Sequence, residues 1–539
     1  MTRHTLLALV LVCSASAQVS FERLLRTERE RQNWLTYSGS YQSQRYSALD
    51  QITHANVKDL EIQWVYQMRT LEKVETTPLV VDGVMYLTQP PNDVIALDAA
   101  TGRVFWTYNY RLAPGTRVCC GNVNRGLAIL GDTLFMGTVD ARLIAIDAKS
   151  GHVRWSVKVG DHNTGYAITV APLAIKDKVI IGTAGGEYGI RGFIAAYDAA
   201  TGKEAWSFNT VPGPGEAGHE TWSGDSWKNG AGSIWVTGSY DPGLNLTYWG
   251  IGNPGPDYNA DNRVGDNLYT DSVVALDPNS GALKWHFQFT PHDELDYDAV
   301  QIPVLADMDW QGRPRKVMLW ANRNGFYYAL DRTTGQFLLG KPFVKVTWAS
   351  GLDDKGRPIK IPGMVPTAAG TVIYPGVQGG TNFYSPSYSP RTQLFYIPAW
   401  VDYSTNYTKF PIQYEAGQRY TGGTPRNTQG GGGRGQVYTP GDDDNYSAVR
   451  AIDPRTGDRK WEFKTSGVTL SGLLTTASDL LFTGSRDGYF FALDARSGVM
   501  LWKSTVGGPT AASPITYESA GKQYVAIASG NSLFAFALH

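Results

Sequence analysis

Short apolar runs of four to seven residues, separated by polar turns, recur along the whole 539-residue chain. Seven copies share one pattern, Ala-x-Asp-x-x-(Thr/Ser)-Gly-x-x-x-Trp, beginning at residues 96, 145, 196, 275, 329, 451 and 492. They include ALDAATGRVFW (96–106), AIDAKSGHVRW (145–155), AYDAATGKEAW (196–206) and ALDPNSGALKW (275–285). The copy at 329–339 has Leu339 where the others carry Trp, and a weaker eighth copy ends at Trp64. Each reads as a strand end, a tight turn in which Gly supplies positive φ, and the start of the next strand. A further hairpin lies upstream, as in GDTLFMGTVDARLIAID (131–147). About four strands per 40–54 residues is the size of a propeller blade. The expected fold is therefore all-β: an eight-bladed β-propeller with tryptophan-docking repeats, closed by pairing N-terminal strands with KQYVAIAS and SLFAFAL. The repeated Trp reads as packing between blades.

Two intervals are long. The stretch from 196 to 275 holds GHETWSGDSWKNGAGSIWVTGSYD (218–241), and that from 329 to 451 holds an insertion at about 403–447. The latter contains a Gly-rich loop (422–444) expected to cap one face of the ring.

Composition agrees with an ordered β protein, with 60 Gly, 30 Tyr, 16 Trp and only 18% charged residues. A net charge of −1 gives no basic surface for nucleic acid. Arg3 and His4, the apolar run Leu6–Val12 and the small residues Ala15-Ser16-Ala17 read as a secretory signal peptide over 1–17. The remaining chain, 18–539, reads as one exported propeller domain, and no later stretch reads as a membrane helix. Cys119 and Cys120 are adjacent. Their Cα separation of about 3.8 Å falls below the usual disulfide range of roughly 4.4–6.8 Å. A strained bridge and two reduced, buried thiols both remain open on these grounds.

No nucleophile elbow, Walker loop, HExxH or CxxCH motif is present, so the chain carries no covalent c-type haem attachment motif. What it does carry, in order, is NWLTYSGSYQSQRYSALDQITHANV (33–57), CCGNVNRG (119–126), TVAPLAIKDKVIIGTAGGEYGIRG (169–192), GIGNPGP (250–256), TPHDELDYDAV (290–300) and NRNGFYYALDR (322–332). This ordered set resembles the pyrroloquinoline quinone (PQQ)-dependent alcohol dehydrogenases, which include the methanol dehydrogenases. The resemblance implies PQQ and a metal ion near the propeller axis. It implies Glu187, Asn253 and Asp298 as metal ligands, and Asp296 as catalytic base that also touches the metal. Trp235 is implied as the surface that stacks on PQQ, and Cys119–Cys120 as a vicinal disulfide on the other side. Arg323 is the implied hydrogen-bond donor at the reactive end. Glu75, Arg125, Thr169, Gly185, Gly186 and Asn382 complete the implied cofactor set.

The residue chemistry fits those roles. PQQ is a flat polyanion, suited to aromatic faces and Arg donors. Carboxylate and amide oxygens are ligands for a hard cation. Asp298 is the informative position: an aspartate two residues after the catalytic one resembles the lanthanide-dependent branch. In an extended segment Asp296 and Asp298 point to one side, and with Glu187 they place three carboxylates on one ion. That favours a trivalent lanthanide, with Ca²⁺ as the alternative. The expected activity is oxidation of an alcohol in the periplasm, with electrons passed to a separate cytochrome c; a homodimer is allowed. A Ca²⁺-dependent PQQ sugar or polyol dehydrogenase and a non-enzymatic outer-membrane assembly scaffold are the competing readings. Ala184, at a position of a serine in methanol dehydrogenases, and Leu470, at a position of a tryptophan, argue against methanol as substrate. Asp293 and Glu294 are expected to be solvated or structural.

Overall fold

The computed structural model describes residues 19–427, 445–465 and 467–539. The signal-peptide reading (1–17) and residues 428–444 of the Gly-rich loop lie outside the described residues. Among the described residues the chain is nearly all β, with one short α-helix, Phe21–Leu25. Six four-stranded sheets span residues 79–108, 128–158, 173–209, 239–288, 304–342 and 387–465; the first five are built from consecutive strands, and the sixth is interrupted by two strands of another sheet. A seventh, over 473–505, has Tyr46–Ser47 added in parallel as a fifth strand. The last is formed by Ile515–Ser519, Lys522–Ser529 and Ser532–Ala537, and is completed by Glu61–Gln67. Glu61–Gln67 runs antiparallel to Ser532–Ala537, so an N-terminal and a C-terminal strand share one sheet.

The burial of each strand follows from its place in a sheet. The inner strands Val84–Gln89 and Asp93–Asp98 are almost wholly buried, whereas outer Val104–Tyr108 is largely exposed. Inner strands are covered on both faces by neighbouring sheets and read as apolar runs. The outermost strand has one free edge and keeps polar or mixed side chains.

The repeat residues act between sheets. The indole N–H of Trp64, Trp106, Trp155 and Trp206 donates to Ala99, Ala148, Ala199 and Pro278 carbonyls at 2.9–3.2 Å. Each acceptor follows the Asp of the next copy. Each ring also lies flat against that copy's Gly: a Cβ on Gly102, Gly151, Gly202 or Gly281 would come within 2.5–2.7 Å of it. The weak copy ending at Trp64 is thus a full member. Where Leu339 replaces Trp, the side chain of Lys341 lies against Gly457 instead. The repeated Asp caps its own turn, Asp98 Oδ1 accepting from the N–H groups of Ala100 and Thr101.

The N-terminal segment crosses every one of these eight sheets. Trp34 bridges to Val80 and Val19 to Gly131. Tyr41 donates to the Ala174 carbonyl and accepts at its own carbonyl from Tyr240 N–H. Gln44 donates to the Leu305 carbonyl and accepts from Tyr388 N–H. Buried Arg45 reaches the carbonyls of Leu473 and Pro514.

Of the insertion, Thr405–Lys409 and Gly423–Asn427 form a small sheet with Thr371–Ile373. The chain between them passes over the site described next: Tyr420 N–H donates to the Glu187 carbonyl at 2.7 Å, and Tyr258 N–H to the Thr421 carbonyl at 2.9 Å.

Candidate active site

A cavity of about 960 Å³ opens among the inner strand ends, large for a ligand pocket. Of the residues singled out from the sequence, Glu75, Cys119, Cys120, Arg125, Thr169, Gly185, Glu187, Trp235, Asn253, Asp296, Asp298, Arg323 and Asn382 all line it. Gly186 does not; it sits behind the wall, where a Cβ would come 3.2 Å from Ser233 Oγ. Gly185 has a packing reason of its own. At φ +119° its Cα faces the Gly165 carbonyl, and a Cβ would clash with it.

One wall is aromatic and cationic. The Arg125 guanidinium lies 4.9 Å from the Trp235 ring centroid and 5.2 Å from that of Phe383. It donates to Thr169 Oγ1 at 3.0 Å and to the Trp235 carbonyl at 2.8 Å, and pairs with Glu75 at 2.6 Å. Lys73 also pairs with Glu75. Burial would raise the Glu75 carboxyl, but Arg125 and Lys73 outweigh it and hold the group below the usual range. Asn382 fixes its amide locally, donating to the Gln378 carbonyl and accepting from Phe383 N–H.

Cys119 and Cys120 are joined in a vicinal disulfide at the cavity wall. This corrects the alternative of two reduced, buried thiols, and Cys120 is in fact exposed. Glu187 Oε1 lies 2.6 Å from Cys119 Sγ. Among the described residues, Cys119, Cys120 and Glu187 are the one set of three or more His, Cys, Asp or Glu side chains with ligand atoms all within 4.8 Å of one another.

The acidic stretch is not a surface loop. Asp293 and Asp298 are 1% and 5% exposed. Asp293 is structural: its carboxylate accepts from the N–H groups of Leu295 and Tyr297. Asp296 has φ +59°, so the segment is bent rather than extended as expected from its spacing. Asp296 and Asp298 nonetheless meet one guanidinium. Arg323 Nη1 donates to Asp298 Oδ2 at 2.5 Å and Nη2 to Asp296 Oδ2 at 3.1 Å, while Nε donates to the Val377 carbonyl at 2.8 Å. Asp298 Oδ1 accepts from Asn253 N–H at 2.9 Å, tying two loops together.

Burial opposes the charged form of two carboxyl groups in this corner. Burial pushes Asp296 well above the usual range, with Asp298 and Glu187 adding to the rise and Arg323 opposing it. Burial, aided by Asp298, also raises Glu187. Two neighbours had no individual signal beyond lying in GIGNPGPDYN. Asp257 is 2% exposed, and its Oδ1 has no hydrogen-bond partner among the described residues. Burial, then Asp296 and Glu187, raise it well above the usual range. Tyr258 donates its hydroxyl to Asp296 Oδ2 at 3.1 Å. Phe383 and Lys73 were also not legible as site residues. An orphaned buried oxygen beside crowded carboxylates and an amide is a donor set that fits a hard, highly charged cation, and the Arg125–Trp235–Phe383 wall fits a flat anionic ring system.

A propeller whose inner end joins a flat, cation-backed aromatic wall to an oxygen-rich corner is the class of molecule these features define. The family model for the PQQ-binding glucose/ethanol/alcohol dehydrogenase β-propeller domain matches residues 34–347 and 357–525. The chain is 39% identical to the quinoprotein alcohol dehydrogenase PedH of Pseudomonas putida over 550 residues, covering 97% of this chain and 90% of that protein. It is 35% identical to the putative dehydrogenase XoxF of Paracoccus denitrificans, covering 97% and 91%. Among solved structures, a europium-containing methanol dehydrogenase superposes with TM-score 0.89 at 34% identity, over 96% of this chain and 100% of that one. The quinohemoprotein alcohol dehydrogenase of Comamonas testosteroni gives TM-score 0.89 at 35% identity, over 97% and 82%. The chain belongs to the PQQ-dependent dehydrogenase family.

Proposed function

We propose that this protein is a periplasmic, metal-assisted quinoprotein that oxidises an alcohol to an aldehyde or ketone and passes electrons to a separate cytochrome c. The observation that carries the proposal is convergence: motif residues scattered from 75 to 382 along the chain line one cavity. The eight sheets described above support eight blades around it.

In this reading Trp235 and the Cys119–Cys120 bridge are the faces that hold PQQ, with Arg125 and Thr169 as donors to its anionic groups. Glu187, Asn253, Asp296 and Asp298 are the oxygen ligands of a lanthanide. PQQ would supply a two-electron acceptor and the ion a Lewis acid that polarises it. The chain's own residues do the rest. Asp296 takes the hydroxyl proton of the alcohol as general base, held in place by Tyr258 and Arg323. Arg323, raised in basicity by Asp296 and Asp298 against its burial, stays charged throughout and stabilises negative charge at the reacting end. Three carboxylates on one ion support a trivalent metal over Ca²⁺.

The test is reconstitution of the metal-free protein with PQQ and either La³⁺ or Ca²⁺, followed by dye reduction over a panel of alcohols and sugars. Activity with La³⁺ on alcohols is expected. Equal activity with Ca²⁺ overturns the lanthanide assignment; no activity and no retained PQQ absorbance with either ion overturns the whole reading. Asp298→Ala should abolish La³⁺-dependent activity and leave the melting temperature within a few degrees of wild type.

A further inference from the structure

Arg263 is wholly buried, yet no sequence motif marks it. Its Nη2 donates to two carbonyls at once, Pro256 at 3.1 Å and Asp293 at 2.5 Å. Pro256 lies three residues after Asn253, and Asp293 three residues before Asp296. Nη1 is fixed by Asn267 Oδ1 at 3.0 Å, and Asn267 returns a hydrogen bond to the Arg263 carbonyl. Glu294, Asp293, Asp271 and Asp257 all lie near enough to act on its charge. Of these, Asp271 has both carboxylate oxygens buried without a hydrogen-bond partner among the described residues.

We propose that Arg263 is a positioning residue: one guanidinium ties the loop bearing Asn253 to the loop bearing Asp296 and Asp298, and so fixes the spacing of the metal's oxygen ligands. The proposal rests on reading those three residues as ligands. Two other ties between the same loops exist: Asn253 N–H to Asp298, which runs through a ligand, and Ala299 N–H to the Ile251 carbonyl, which joins the other end of the two segments. Arg263 acts from behind, on backbone carbonyls, and leaves the ligand atoms free. Here Nη2 reaches two carbonyls while Nη1 stays held by Asn267; a lysine ammonium in the same place keeps the charge but loses the fork.

The test uses full-length protein loaded with PQQ and titrated with Tb³⁺, read by metal luminescence and its lifetime, alongside alcohol kinetics. Arg263→Lys should weaken Tb³⁺ binding by about tenfold or more, the usual scale for losing a residue that orients ligands. It should also lower kcat with little change in KM. Arg332→Lys is the matched control. Arg332 is equally buried, donating to Asp241, Asp307 and the Ala306 carbonyl with no contact to either loop. Wild-type Tb³⁺ affinity in Arg263→Lys, or an equal loss in Arg332→Lys, overturns the proposal. If Arg263→Lys does not fold, Asn267→Gly frees the guanidinium while keeping it, and must weaken Tb³⁺ binding in the same way. Wild-type protein that binds no Tb³⁺ would instead refute the lanthanide reading, and the same variants are then compared by Ca²⁺-dependent retention of PQQ absorbance.

Discussion

Asp296 is held by two donors, the Tyr258 hydroxyl and Arg323 Nη2, both 3.1 Å from the same oxygen. Only one of those partners was legible in the sequence. Arg323 came from a motif, whereas Tyr258 is 38 residues from Asp296, and its backbone N–H is pinned to the Thr421 carbonyl. Contacts set by the insertion leave no local pattern, because no periodicity links residues 258, 296 and 421. A hydrogen bond to a charged group is worth about 1.5–3 kcal/mol. Tyr258→Phe should therefore lower kcat by roughly tenfold or more while leaving PQQ absorbance and the melting temperature near wild type. Steady-state kinetics with unchanged kcat would remove Tyr258 from the site. Asp298 shows the opposite case: its meeting with Asp296 was foreseen, though for the wrong conformational reason, since the bend at Asp296 and the shared Arg323 replace the expected extended strand.

At the scale of strands and turns the sequence was far more informative. The period of the Ala-x-Asp…Gly…Trp copies reports sheet edges directly, since each copy spans an inner strand, a turn and the start of an outer strand. The docking of Trp on the next copy's Gly is a second, physical reason for the motif that spacing alone does not reveal. It separates two glycines that look alike in sequence. Gly281 has φ +71° and would set a Cβ 2.5 Å from the Trp206 ring, whereas Gly215 has φ +85° and open space. A left-handed conformation costs a non-glycine residue about 1–2 kcal/mol. Gly215→Ala should cost that alone, and Gly281→Ala clearly more, because an indole buried between sheets has nowhere to move. Urea melts of the two variants give the comparison; equal losses would mean that the indole yields freely.

Over the whole molecule, ring closure was legible but the hub was not. The apolar C-terminal strands pointed to closure with N-terminal strands, and Ser532–Ala537 pairs with Glu61–Gln67. Nothing in the polar-looking stretch 34–47 announced that it bears on sheet after sheet, because it does so mostly through single hydrogen bonds. Arg45 is the extreme member, wholly buried and donating to the carbonyls of Tyr37, Leu473 and Pro514. Burial draws its basicity down to about 10. Arg45→Leu would leave three buried carbonyls without a donor, at about 1–3 kcal/mol each. A fall in unfolding free energy of several kcal/mol is expected, with kcat of the folded fraction unchanged; a loss below about 1 kcal/mol would show that water replaces the guanidinium at little cost. The same contacts bear on how quickly the protein can form. Most of the sheets are built from nearby stretches of chain and can assemble early, but the segment that joins them has partners 428 and 469 residues away. Such distant closure is slow, so the folding rate is set by the final meeting of the two ends of the chain, and partly synthesised or truncated chains are left with formed hairpins and no fixed ring.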